Sequence, residues 1–165
     1  MAPVAAATRA QIRLPTAHDH EAAIRRLATT HQHTLVEGSG GLLVALDHDG
    51  GTIADVARTI DPSRAVAVVV CRSGLGTLNH TELTLEALDR RGIATFGVVI
   101  GSWPRRPTEI DISNREYFEG HAVPLIGTIP QGVSTLAPAE FRASAASWFA
   151  PQAGFRPQAG PSGRP

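Results

Sequence analysis

Lysine is absent: the fifteen basic side chains among the 165 residues are all arginine. That absence excludes a self-contained phosphate loop of the usual kind, in which a lysine ammonium reaches the β- and γ-phosphates of a nucleotide. Cysteine is reduced to a single residue, Cys71. No disulfide framework can form, which fits a reducing compartment, and a thiol ending an apolar run reads as buried and inert. Net charge is also missing, since fifteen arginines balance fifteen acidic residues. Neither a nucleic-acid footprint nor a basic membrane-surface helix is encoded. The arginine pairs 25–26, 90–91 and 105–106 read as solvated helix ends and loops. No apolar run nears the ~18 residues of a membrane span. The first residues lack the charged and apolar segments of a signal peptide, so the expected location is the cytoplasm.

Against these absences stands 42% hydrophobic composition, enough for the core of one domain. That domain is expected over residues 1–150, with a Gly/Pro-rich disordered tail over 151–165. Residues 1–15 show no strong periodicity. Thr16 and Asp19 form a capping box ahead of a helix at about 17–29, and Thr52 and Asp55 form a second one. Ile53, Val56, Ala57 and Ile60 line one face of that second helix, which ends at Asp61-Pro62. Thr34-Leu35-Val36 reads as a short strand delivering Glu37 at its end. Ala65–Cys71 is a continuous β-branched run of the kind covered on both faces in parallel sheets. A helix capped by Asn79 and Glu82 follows, then a strand over 94–100 and a helix over 110–119. A strand over 124–129 and a closing helix with Pro138 in its first turn complete the domain. Strand and helix alternate, so the fold expected is α/β with a mostly parallel sheet and helices on both faces. Ligands of such sheets sit beyond the carboxyl ends of the strands. This singles out the turns at 37–41, 72–79, 101–104 and 130–134.

In the first of these turns a carboxylate, Glu37, precedes Gly38-Ser39-Gly40-Gly41. It can hold magnesium directly or through water while the glycines let backbone approach phosphates; an exposed glutamate on a tight turn is the equal alternative. The turn Gly74–Asn79 opens a helix, whose free N–H groups suit an anion, although every strand-to-helix turn shares that property. His18, His20, His31 and His33 form two His-x-His pairs without a zinc-site pattern. Trp103 and Trp148 read as packing residues. Ser39 lacks a nucleophile-elbow context, since Glu37 stands two residues before it.

Three blocks carry a resemblance: Val36-Glu37-Gly38-Ser39-Gly40-Gly41-Leu42-Leu43-Val44, Leu75 to Leu88 (LGTLNHTELTLEAL), and Gly97-Val98-Val99-Ile100-Gly101-Ser102-Trp103-Pro104. Together, from about Ala2 to Trp148, they resemble dethiobiotin synthetase. The form they resemble most has Gly-Ser-Trp-Pro in place of an asparagine at the nucleotide base. The resemblance implies a doubly wound sheet of the P-loop NTPase type whose N-terminal strands are missing here. It implies an ATP-dependent ligase of biotin synthesis that closes the ureido ring of 7,8-diaminopelargonate with carbon dioxide, ATP and Mg2+. It places Glu37 on the metal, and Glu37, Gly38, Ser39 and Gly40 along the phosphates. Gly101 and Ser102 would border the adenine, and Pro130, Gln131 and Gly132 would lie along the nucleotide. Gly76, Thr77, Leu78 and Asn79 would receive the substrate carboxylate across a homodimer.

The family's phosphate loop and catalytic lysines precede the region matched by Met1-Ala2-Pro3, and Ser39 stands where alanine is usual. The expectations are therefore no catalytic residue within the chain, a homodimer or a complementing N-terminal chain as partner, and no activity alone. An unpaired strand edge and bare apolar faces should accompany the missing strands. The alternatives are a non-catalytic binding or dimerisation remnant of the same fold and, more weakly, a cobyrinate amidase-like relative, against which Asn79-His80 argues.

Overall fold

The computed structural model describes residues 1–61 and 64–150; the segment 151–165, expected to be a tail, lies outside them. The chain divides into two compact units.

The first unit comprises, among the described residues, 1–61, 64–65 and 91–93. Its helices are α1 (Pro3–Ala10), α2 (Ala17–Ala28) and α3 (Ile53–Thr59). Both expected capping boxes form. The Thr16 N–H donates to Asp19 Oδ2 at 2.8 Å, and the Asp19 N–H returns to Thr16 Oγ1 at 3.2 Å. Thr52 and Asp55 repeat the pattern at 3.0 and 3.3 Å. Helix α1 falls where no helix was expected. Pro3 sits in its first turn, where a missing N–H costs nothing, and an alanine run follows.

Arg25 Nη2 ties α2 to the end of α3 through the Thr59 carbonyl at 2.7 Å. The firmest knot is Asp47, 4% exposed. Its carboxylate accepts the N–H groups of Ala17 (2.8 Å), Gly51 (2.8 Å) and Asp49 (3.0 Å), joining the start of α2 to the 47–52 turn.

Thr34-Leu35-Val36 is not a strand. A strand needs a partner to satisfy its backbone, and this unit's described residues hold no ladder beyond an isolated Ala45–Thr52 bridge. Leu35 is 98% exposed, and Thr34 Oγ1 is buried without a partner. The segment borders an apolar cavity of about 430 Å³ that is also lined by Ile24, Leu27, Ile53 and Val56.

The second unit comprises residues 66–90 and, among those described, 94–150. It holds β1 (Ala67–Cys71), α4 (Thr77–Asp89), β2 (Thr95–Trp103), α5 (Glu109–Glu119), β3 (Leu125–Pro130) and α6 (Pro138–Ala145). Short 3₁₀ turns lie at Val133–Thr135 and Ala146–Trp148. The strands form one parallel sheet in the order β1-β2-β3, so the α/β class with a parallel sheet holds. Val98 and Ile100, two residues apart and so on one face of β2, form a core with Leu85 of α4 and Phe118 of α5. Both crossover helices therefore contribute to the same side of the sheet. Pro138 takes the first turn of α6 as expected.

Two expectations fail here. The β1 run is not covered on both faces: Val69 and Cys71 pack on the core cluster, while Val68 and Val70, on the opposite face, are 46% and 65% exposed. Helix α4 starts at Thr77 with Gly76 as N-cap, not with Asn79. Gly76 supplies the positive φ of 85° that the turn demands.

The carboxyls of Asp47, Asp19, Asp55 and Asp111 are all held below the usual aspartate range. For Asp47 the main cause is the Gly51 N–H, followed by that of Ala17. For Asp19 it is the Thr16 N–H, and for Asp55 and Asp111 it is the threonine hydroxyl of the capping box. A carboxyl depressed on folding stabilises the native state above its unfolded pKa of about 3.9 and loses that contribution as pH falls through the folded value. Stability of the full chain, followed by urea unfolding, is therefore expected to be level near neutrality and to fall below about pH 4. Asp47→Ala, which orphans at least two N–H groups, is expected to cost about 2 kcal/mol at pH 7 and to flatten part of that acid slope.

Candidate functional site

Parallel pairing brings the carboxyl ends of β1, β2 and β3 to one edge of the second unit's sheet. The expected turn at 72–79 lies on that edge, whereas 101–104 is not the turn expected: Gly101, Ser102 and Trp103 continue β2, and Pro130 is the last residue of β3 ahead of the turn at 131–132. Trp103 is paired with Pro130, and the Gln131 N–H donates to the Trp103 carbonyl at 2.7 Å. This joins Gly101-Ser102 to Pro130-Gln131-Gly132. Ser102, Pro130, Gln131 and Gly132 are exposed. Gly101 lies beside β1, where an added Cβ would meet Val70 Cγ1 at 2.7 Å. Trp103 packs against the core cluster, with the Arg115 guanidinium 5.4 Å from its ring centre, as a packing residue should.

The turn after β1 is held by side-chain hydrogen bonds. Thr77 is 4% exposed and its hydroxyl donates to the Arg72 carbonyl at 2.7 Å. Leu78 packs on the core cluster. Of Gly76, Thr77, Leu78 and Asn79, Gly76 and Asn79 are exposed, while the Thr77 N–H donates to the Gly74 carbonyl at 3.2 Å. The carbonyls at the start of the turn are held from α5. Asn114 Nδ2 donates to Ser73 O at 2.7 Å and to Gly74 O at 3.1 Å, and Asp111 accepts the Ser73 hydroxyl. Burial pushes the Cys71 thiol up from its ordinary value, as befits an unreactive group below the turn.

Asn114 and Asp111 escaped the sequence reading, and Ser73 entered it only as part of the 72–79 turn. A signal existed: Thr108-x-x-Asp111 is a third capping box, and asparagine in mid-helix is unfavourable unless its amide is engaged elsewhere.

The remaining expected residues, Glu37, Gly38, Ser39 and Gly40, belong to the first unit. Glu37 is exposed and lies in irregular backbone rather than at a strand end. Gly38 packs closely on α3, where a Cβ would meet Ile53 Cδ1 at 2.9 Å. Gly40 and Gly41 turn the chain with φ of 92° and 120°. Among the described residues no group of three His, Cys, Asp or Glu side chains could hold a metal ion. What the segment offers magnesium is one carboxylate. That fits an ion whose other ligands are phosphate oxygens and water, and it does not fit an all-protein cage.

Residues 1–139 match the family described as an AAA domain, and the chain belongs to that family. Among curated proteins it is similar to several printed as "ATP-dependent dethiobiotin synthetase BioD". The Streptomyces coelicolor protein is 46% identical over 156 residues, covering 92% of this chain and 63% of the relative. The Rhodococcus jostii protein is 44% identical over 150 residues, covering 90% and 64%. The Mycobacterium avium protein is 45% identical over 149 residues, again covering 90% and 64%. The chain thus spans a little under two thirds of the length of the relatives it matches.

Gly76→Ala tests the turn's backbone. An added Cβ meets nothing within 4 Å, so the cost is that of a left-handed residue alone, about 1–2 kcal/mol. The expected outcome is a lower urea midpoint with an unchanged slope; a neutral substitution would contradict the left-handed turn.

Proposed function

We propose that the chain contributes to an ATP-dependent ligase of biotin synthesis, closing the ureido ring of dethiobiotin from 7,8-diaminopelargonate and carbon dioxide. The observation that carries this reading is the identity of 44–46% to dethiobiotin synthetases across at least 90% of the chain. The gathering of residues 76–79, 101–102 and 130–132 at one sheet edge supports it.

In this reaction one amine of the substrate takes up carbon dioxide as a carbamate. ATP phosphorylates the carbamate, and the second amine attacks its carbon with loss of phosphate. Magnesium, when bound, neutralises charge on the phosphate oxygens. The chain's own residues bind and orient. Glu37 supplies one carboxylate ligand to the metal. Gly38, Ser39 and Gly40 let backbone N–H groups come close to phosphate oxygens. Gly101 and Ser102 flank the adenine, and Pro130, Gln131 and Gly132 border the rest of the nucleotide. The N–H groups opening α4 at Gly76–Asn79 hold the substrate carboxylate of a second subunit.

The working form is a homodimer, or a complex with a polypeptide bringing the missing cations, in the cytoplasm. Every lysine of the phosphate cradle must come from outside these 165 residues, which contain none. No helix among the described residues is long and apolar enough to cross a membrane.

The lysine deficit also favours a second reading, a non-catalytic binding or dimerisation module. One assay separates the two: ADP release and ring closure with diaminopelargonate, bicarbonate and Mg2+. The chain alone should be silent. Joined to the part of the Streptomyces coelicolor relative outside the matched region, it should turn over. Glu37→Gln should then lower the rate about 10- to 100-fold. An inert joined protein that is folded would leave the non-catalytic reading.

A further inference from the structure

Three consecutive carbonyls, those of Arg72, Ser73 and Gly74, are all occupied by side chains. Thr77 Oγ1 takes the first at 2.7 Å. Asn114 takes the second and third, at 2.7 and 3.1 Å, from 41 and 40 positions away in the sequence. One turn before Asn114 on the same face of α5, Asp111 holds the Ser73 hydroxyl. Ser73, Asp111 and Asn114 are 7–8% exposed.

Gripping both the Ser73 and Gly74 carbonyls takes two donors on one short side chain; the Gly74 oxygen accepts the Thr77 N–H as well. An asparagine amide has both, whereas an ionised aspartate has none and an alanine cannot reach. The first N–H of α4, that of Thr77, turns back to the Gly74 carbonyl at 3.2 Å, and the next two, those of Leu78 and Asn79, have no backbone acceptor among the described residues. Gly76 brings no capping side chain to them, and the opening N–H groups of a helix have no acceptor within it.

Taking the turn to hold the substrate carboxylate, as under Proposed function, we infer that Asn114 is a positioning residue for that site. It fixes the direction of the Leu78 and Asn79 N–H groups by gripping the carbonyls of Ser73 and Gly74, and it touches no substrate itself. The consequence is specific: loss of the amide weakens carboxylate binding beyond what loss of α5 packing does.

The test uses the ¹⁵N-labelled full chain and heptanoate as a monocarboxylate probe. It compares Asn114→Ala and Asn114→Asp with Phe118→Leu, which loosens α5 at a fully buried core residue away from the turn. Amide hydrogen exchange over residues 73–79 is read without ligand, and heptanoate titration is read at Leu78 and Asn79. Both Asn114 variants should exchange at least tenfold faster in the turn and bind heptanoate at least tenfold more weakly. Phe118→Leu should change turn exchange and affinity less than threefold. In the wild-type chain, the Asn114 side-chain amide protons should exchange slowly and shift on heptanoate addition. This arm does not depend on the variants folding.

Unchanged turn exchange in Asn114→Ala, or rapidly exchanging Asn114 amide protons in the wild type, would overturn the inference. Equal loss of heptanoate affinity in Phe118→Leu would also overturn it, as a merely structural effect. A wild-type chain whose Leu78 and Asn79 ignore heptanoate, but whose turn still loosens in Asn114→Ala, would refute the carboxylate role of the turn and with it the positioning role.

Discussion

The parallel pairing of β2 with a strand on each side is the constraint on which the second unit depends. Parallel neighbours cannot be joined by a hairpin, so a long crossover must return the chain each time. Here those crossovers are α4 and α5, and their apolar faces supply Leu85 and Phe118 to the core built on Val98 and Ile100. The same pairing aligns the three carboxyl ends. The Gly76 turn and the strand ends that hold Gly101 and Pro130 therefore share an edge even though 54 positions separate the first from the last. Burial of β2 and assembly of that edge have one cause.

Polar side chains then decide the shapes of the turns, because buried backbone groups must find partners. The three capping boxes use one device, a threonine followed three residues later by aspartate. Asp47 gathers N–H groups in the first unit as Asn114 gathers carbonyls in the second. These are complementary solutions: an acceptor-only carboxylate for converging donors, and a two-donor amide for converging acceptors.

Much of this was legible in the sequence, for physical reasons that differ by element. The capping boxes at Thr16 and Thr52 are local, so spacing alone revealed them. The strands within 65–71, 94–100 and 124–129 were legible because continuous apolar runs between turn residues have few other uses. Thr34-Leu35-Val36 misled because a strand exists only through its partners, and no neighbour pairs with it among the described residues. The exposure of Val68 and Val70 could not be read, since it depends on which face of the strand the core cluster covers and not on the side chains themselves. The start of α4 was misplaced because Asn79 is a good cap in the abstract, while the backbone turn required glycine at 76. In the candidate site the glycine turns were legible and their support was not. Asn114 reaches its carbonyls from about forty residues away, a contact that only the crossover geometry creates.

Composition sets the chemical limit. A triphosphate bound by positioning and charge stabilisation needs cations at its β- and γ-oxygens, and the exposed glutamate and glycines of 37–41 provide none. In the function proposed above, this chain would supply a metal-side carboxylate and the base-side and substrate-side backbone, and the cationic cradle would come from elsewhere. Titration of the purified chain with ATP in the presence of Mg2+, followed by calorimetry, tests this most directly. The account predicts no saturable binding below millimolar ATP, and stoichiometric binding with a micromolar Kd by the chain alone would contradict it.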